Sequence, residues 1–324
     1  MTVSHARAAD PTDAELTPGE REVRRHFPAD AARVTTIRLW PGAAPDEPRP
    51  IGAESVGEGA RSSHITNVTQ PSVTVVQPMN ATAATPAVFV CPGGGYGSLG
   101  IDVGGVDVIR WLNELGITGV YVKYRVPKRH QGFPMHHHAL QDIQRAMSVI
   151  RSRAAEFEID PQRIGVIGFS AGGNLGAMLA THHAKEDRLY AATDAADAIS
   201  CRPDFVMLVA PAYLTQPIVS GDLDPALKLD KVARNITPPI FITSATTDKF
   251  SIGSSHFALA LRERHVPVEV HLYEKGGHAE GISDAPRQPM AGDGRRLAAP
   301  EGNHHATCGK TMMPGKPLHA KRKA

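Results

Sequence analysis

The stretch that most constrains the fold is "RIGVIGFSAGGNLGAML", residues 163–179. An apolar, strand-like run enters it, a helix-like run leaves it, and only Gly168-Phe169-Ser170-Ala171-Gly172 stands between. A chain that goes from strand to helix around one serine must turn sharply there, in a conformation that costs backbone strain. Small residues two before and two after the serine let that turn close without a clash. The helix that follows aims its N-terminal dipole at the serine hydroxyl, which favours negative charge developing nearby.

The flanking sequence supplies the sheet this turn needs. Residues 34–40, 72–78, 87–91, 118–126, 163–169, 204–210, 239–245 and 268–274 read as strands. Residues 106–116, 139–157, 172–183 and 255–266 read as helices. Strands alternating with helices predict an α/β fold, with a mostly parallel central sheet and helices on both faces. The first two strands have no helix between them, so the leading edge is expected to be antiparallel. Residues 42–70 hold several Pro and Gly and read as loop, and residues 1–32 read as a mobile N-terminal extension with at most a short helix.

With 324 residues the chain is ample for a buried core; 41% of it is hydrophobic, 21% is charged, and the net charge is +2. No strong field points to a nucleic acid partner, and no apolar run is long enough to span a membrane. Three cysteines at wide spacing form neither a disulfide framework nor a zinc pattern. As it stands the sequence reads as cytoplasmic. The run Ala6-Arg7-Ala8 resembles the small-residue end of an export signal, which gives the alternative of an exported chain whose leader lies upstream.

A serine hydroxyl is a weak nucleophile without a base, and the base needs an orienting carboxylate. On a sheet of this kind the partners follow in the order Ser, acid, His. Asp248 follows the strand at 239–245 and His278 follows the strand at 268–274, both in loops on the edge where Ser170 is expected. Ser170 is therefore read as nucleophile, His278 as general acid/base, which must be neutral to act as base, and Asp248 as its orienter. Asp222, Asp224 and Glu280 are alternatives for the acid, and Lys249 is a candidate surface partner for Asp248. His136-His137-His138 has no carboxylate or cysteine at ligand spacing and reads as a solvated loop rather than a metal site. Asp142 reads as a structural acceptor, with Arg125 as its partner.

A second glycine cluster, "FVCPGGGYGSLG" at 89–100, satisfies the dinucleotide fingerprint G-x-G-x-x-G. That fingerprint calls for a carboxylate at the end of the next strand, and the next strand ends "YVKYRV". The loop is better read as a cradle of backbone N–H groups for a transient oxyanion, glycine because side chains there would block the carbonyl. Gly94 and Gly95 N–H, together with Ala171 N–H, are assigned to that hole, with Gly93 as an alternative to either glycine.

Taken together, "CPGGGYGSL", "YVKYRV", residues 139–180 and "VPVEVHLYEKGGH" resemble bacterial α/β-hydrolases of the acetyl esterase/lipase type. The nearest group is acetylxylan-esterase-like, related to the hormone-sensitive-lipase branch. The resemblance covers about residues 35–283 and implies a catalytic domain over 33–283. It also implies hydrolysis of short acyl esters, on small molecules or carbohydrates, through an acyl-serine and without a cofactor or metal. A peptidase of the oligopeptidase type and a non-catalytic binding protein on the same fold are the alternatives.

Two features depart from the family. Pro92 stands where its oxyanion motif often has His. Residues 284–324 lack the amphipathic helix that usually follows the catalytic His, and read as a non-family tail. A frameshift near 280–289 is one explanation, since Met290-Ala291 read one nucleotide forward encodes tryptophan. A genuine disordered tail is the other.

Overall fold

The computed structural model describes residues 10–47, 51–59, 62–79, 81, 83–129 and 132–278. The tail at 284–324, Glu280, Cys308 and the leader-like run at 6–8 lie outside the described residues.

In chain order the elements are α1 (Pro18–Arg25), β1 (Ala32–Arg38), β2 (Ser55–Gly57), β3 (His64–Thr66), β4 (Ser72–Pro78), β5 (Thr85–Cys91) and β6 (Leu99–Gly100). There follow α2 (Asp107–Glu114), β7 (Thr118–Lys123), α3 (His137–Ser152), β8 (Ile159–Phe169), α4 (Ala171–Thr181), β9 (Val206–Val209), β10 (Ile240–Ala245), α5 (Ser251–Glu263) and β11 (Val268–Tyr273). Eight strands form one sheet in the order β1-β4-β7-β5-β8-β9-β10-β11. β4 is antiparallel to both β1 and β7, and the other pairs are parallel. The antiparallel leading edge and the parallel centre match the sequence expectation.

The order in which the chain adds strands reverses at β5. From β5 the chain crosses through α2 to β7 on one side, then back through α3 to β8 on the other. Right-handed crossovers place α2 on one face and α3 and α4 on the opposite face, where α3 and α4 touch. The carboxyl ends of β5 and β8 therefore open onto a crevice between diverging connections, the place where open α/β sheets bind ligands. The core below it is made of side chains such as Phe89, Val120, Val166, Leu208 and Ile242, each fully buried. Central strands are covered on both faces, which is why they read as unbroken apolar runs.

The structure corrects three expectations. Residues 10–32 dock against the rest of the chain through buried Leu16, Val23 and Phe27. α1 is started by a capping box, in which Thr17 Oγ1 accepts from Glu20 N–H and Glu20 Oε2 accepts from Thr17 N–H at 2.8 Å, with Pro18 in the first turn. Val23, Leu16 and Phe27 are buried beneath it. Within 42–70, β2 and β3 pair and join β6 as a small three-stranded sheet. The three histidines do not form a solvated loop. His136 and His138 are buried where α3 begins, and His137 Nε2 lies 3.0 Å from Asp46 Oδ2 under a stacked Phe133. Burial pushes His136 down to about 4, so it stays neutral at physiological pH.

A buried charge cluster ties α1 to the sheet. Lys123 Nζ, at the end of β7, donates to Glu54 Oε2 at 2.7 Å and Thr17 Oγ1 at 2.8 Å, and Glu20 Oε1 lies 3.3 Å away. Burial works to raise the Glu20 carboxyl, but the Lys123 charge and the Thr17 N–H outweigh it and hold it below its ordinary 4.5. A depressed carboxylate contributes stability above the ordinary range and loses it as pH falls through the folded value. Lys123→Met leaves two buried carboxylates without a cation and should cost about 3–5 kcal/mol in urea unfolding at neutral pH. The deficit should shrink in acid, where protonation of Glu20 removes its unpaired charge in the variant. A deficit independent of pH would mean that lost packing, not lost charge, is responsible.

Candidate active site

Ser170 sits between β8 and α4 with φ 55° and ψ −116°, a left-handed conformation rare outside glycine. The turn closes only because its neighbours are small. A Cβ on Gly172 would stand 2.0 Å from the Cys91 carbonyl oxygen at the end of β5. A Cβ on Gly168 would stand 2.1 Å from the Gly172 carbonyl oxygen. The strained serine is held by its own backbone: its N–H donates to Val209 O, and its carbonyl accepts from Asn174 and Ala212 N–H, at 3.0–3.1 Å.

The Ser170 hydroxyl points at a histidine from the far side of the sheet. Ser170 Oγ lies 2.7 Å from His278 Nε2, and His278 Nδ1 lies 2.8 Å from Asp248 Oδ2. The imidazole swings in on a loop after β11, where Gly276 and Gly277 take φ values of 137° and 48° and Gly277 N–H donates to Thr247 Oγ1. The Asp248 side chain is fully buried, and its second oxygen accepts the Phe250 N–H at 3.0 Å. A buried carboxylate bonded to Nδ1–H fixes the tautomer in which Nε2 is free to accept the serine proton. The Phe250 ring packs 4.9 Å from the imidazole and shields one side of it.

The other acid candidates lie elsewhere. Asp224 caps a 3-10 turn through the Ala226 N–H, and Asp222 is exposed. Lys249 lies over the Phe250 ring, with its Nζ 5.0 Å from the centroid. Asp142 is fully buried against Arg125, with Nε 3.0 Å from both carboxylate oxygens, and also accepts from Trp40 Nε1 at 2.9 Å, the structural role expected of it.

The glycine loop after β5 folds over the same end of the sheet. A Cβ on Gly93 would come within 3.1 Å of Ser170 Cβ, so the loop and Ser170 are in contact. Gly94 has φ 139°, and a Cβ there would meet the Ser98 carbonyl oxygen at 2.0 Å. The loop closes on itself through Gly97 and Ser98 N–H to Gly94 O and Gly100 N–H to Gly93 O. Among the described residues, the N–H groups of Gly94, Gly95 and Ala171 donate to no protein acceptor. Ala171 is the first residue of α4, where a helix leaves its N–H groups unsatisfied. The arrangement thus holds a hydroxyl, an imidazole bonded to a buried carboxylate, and N–H groups from two segments at one crevice.

Sequence reasoning missed the aromatic surround: Tyr96, Tyr213 and Phe250. Tyr213 stacks on Tyr96 at 6.3 Å and meets Phe250 edge-on at 5.4 Å. These rings come from three separate loops, and no spacing in the sequence joins them.

The chain is similar in sequence and fold to known ester hydrolases. The BD-FAE family model matches residues 73–205. An endo-1,4-beta-xylanase B of Butyrivibrio fibrisolvens is 30% identical over 212 residues, 61% of this chain and 33% of that protein. An acetylxylan esterase of Xylanibacter ruminicola is 27% identical over 217 residues, 60% of this chain and 41% of that protein. The chain thus spans well under half the length of these curated relatives. Among solved structures, an acetyl ester-xyloside bifunctional hydrolase of Caldicellulosiruptor lactoaceticus superposes with a TM-score of 0.62 at 27% identity, covering 83% of this chain and 96% of that one. An esterase of Thermogutta terrifontis, at 20% identity and a TM-score of 0.58 over 77% of this chain and 90% of that one, shares the fold. The chain has the α/β-hydrolase fold, and esterases of the acetyl type are among the proteins it is similar to.

Proposed function

We propose that the protein is a serine carboxylesterase that hydrolyses short-chain acyl esters, acetyl above all, on small molecules or carbohydrates. The observation that carries this reading is the unbroken relay from Ser170 Oγ through His278 to buried Asp248, at 2.7 and 2.8 Å, beside free N–H groups on two segments. The names of the xylan-directed relatives favour acetyl groups and a carbohydrate alcohol.

In this reading Ser170 Oγ attacks the ester carbonyl carbon while His278 Nε2 takes its proton. The carbonyl oxygen becomes an oxyanion received by Gly94, Gly95 and Ala171 N–H, donors that need no reorganisation as charge develops. The tetrahedral intermediate collapses, the C–O bond to the alcohol breaks, and His278 returns the proton to the departing oxygen. Water, deprotonated by the same nitrogen, then attacks the acyl-serine and releases the acid. Asp248 keeps Nδ1–H in place throughout and stabilises the imidazolium. Every proton taken by His278 is given back, so each turnover consumes one ester and one water.

Ser170→Ala should lower kcat for p-nitrophenyl acetate by about 10⁴-fold or more, and Asp248→Asn by about 10⁴-fold through the wrong imidazole tautomer. Wild-type kcat/KM should fall from acetyl to hexanoyl esters and be higher for acetylated xylo-oligosaccharides than for peptidyl anilides. Equal rates for wild type and Ser170→Ala would sink the serine mechanism, and faster anilide cleavage would favour a peptidase. Gly94→Ala places a methyl group against the Ser98 carbonyl and should cost about 10²–10³ in kcat, the size of effect seen when one oxyanion donor is lost. Retention of full activity would remove Gly94 from the hole.

A further inference from the structure

The oxyanion donors assigned above come from two independent segments: Gly94 and Gly95 from the loop after β5, Ala171 from the start of α4. Three donors converge on one oxygen only if those segments are held in register to a fraction of an ångström. Glycine, which gives the loop its shape, also gives it the most freedom to lose. Something other than the loop's own backbone must set its distance from the nucleophile.

Three buried tyrosines grip the loop. At its entry Tyr124 donates its hydroxyl to Pro92 O at 2.6 Å, and at its exit Tyr121 donates to Gly100 O at 2.9 Å. Both anchor the loop to the β7 side of the sheet. The third is different. Tyr96, immediately after the glycines, is 1% exposed and has φ 58°, and it donates its hydroxyl to Asn174 Oδ1 at 2.8 Å. Asn174 lies on α4, one turn beyond the nucleophile, and is itself 1% exposed. Its backbone N–H donates to the Ser170 carbonyl, and its Nδ2 donates to Tyr213 O at 3.0 Å. A single residue thus joins the glycine loop, the nucleophile's own turn and the segment after β9. Burial holds the Tyr96 phenol well above its ordinary range, so it is neutral and always a donor. A bulky residue in a left-handed conformation is strained and persists only where its surroundings fix it.

We propose that Tyr96 and Asn174 are positioning residues, whose hydroxyl–amide latch sets the register of the Gly94–Gly95 N–H groups against Ser170 and Ala171. The proposal rests on the esterase reading for the direction of its effect on rate, and on geometry alone for the latch. Neither side chain touches the substrate; both act through the loop.

The test compares Tyr96→Phe, Asn174→Ala and the double variant in the full chain. Tyr96→Phe removes one oxygen and keeps the ring. It should lower kcat on p-nitrophenyl acetate by about 10- to 100-fold with KM nearly unchanged, the size of effect expected of a slight misplacement. The double variant should fall no lower than Asn174→Ala, because the two groups act as one device. A second measurement uses phenylboronic acid, whose tetrahedral adduct on Ser170 seats an oxygen in the hole without turnover; its inhibition or dissociation constant should rise by about the same factor. Tyr96→Phe with wild-type kcat and wild-type boronate affinity overturns the latch, whatever its thermal midpoint. So do independent, additive losses in the double variant. If Asn174→Ala does not fold, Tyr96→Phe alone decides between these outcomes. A wild-type protein that hydrolyses no ester overturns the esterase reading instead, and the boronate measurement still reads the latch.

Discussion

The site depends on one backbone-to-backbone approach, the contact of Gly172 in the first turn of α4 with the Cys91 carbonyl at the end of β5. No side chain fits there, since even a Cβ would stand 2.0 Å from that oxygen. Because α4 begins so close to β5, Ser170 rises directly beside the glycine loop. The same closeness directs the N-terminal end of the helix, with its unsatisfied N–H groups, into the crevice. A β5 end pushed away by one methyl group would separate the nucleophile from the loop, and no later adjustment of His278 or Asp248 would restore the alignment. The strain stored at Ser170 is offset by the contacts on either side of it, which is the usual economy of a functional turn.

Buried charge holds the periphery of this sheet in the way that apolar packing holds its centre. Arg125 and Asp142 form a fully buried pair that also takes up Trp40 Nε1 from the end of β1, and Arg125 Nη2 donates to Gln141 Oε1 at 2.7 Å. Lys123 gathers Glu20 and Glu54 from segments that the sheet alone would not retain. Such pairs contribute little net stability relative to apolar residues of the same shape, but breaking one partner is costly. They therefore specify where loops and termini dock more than they add to stability. Two of the segments they fix, α1 and the Asp46–Glu47 turn, frame the antiparallel edge of the sheet. Arg129 extends the frame by pairing with Glu47 at 2.9 Å.

What was legible in the sequence is what local physics encodes. β9, β10 and the carboxyl-terminal halves of β5 and β8 are buried, so each is an apolar run that needs no partner to be recognised. The turn at Ser170 is written in adjacent residues, and Asp248 and His278 fall where strands end. The features that were missed depend on residues far away. α1 follows a short Thr17-Pro18-Gly19-Glu20 signal, but its docking rests on Lys123, about a hundred positions on. β2 and β3 have three residues each and exist because β6 pairs with them. His137 and His138 look polar and solvated until the chain around Asp46 closes over them. Asn174 reads as an ordinary helix residue, and only the fold brings Tyr96 to its side chain.

The most direct test is a crystal structure of the protein inhibited by a small alkyl phosphonate, which mimics the tetrahedral intermediate. The phosphorus should be bonded to Ser170 Oγ, with His278 Nε2 facing the leaving-group position. The phosphoryl oxygen should lie about 2.7–3.1 Å from the N–H nitrogens of Gly94, Gly95 and Ala171. An adduct on another residue, or on Ser170 with that oxygen turned away from the glycine loop into solvent, would contradict the mechanism.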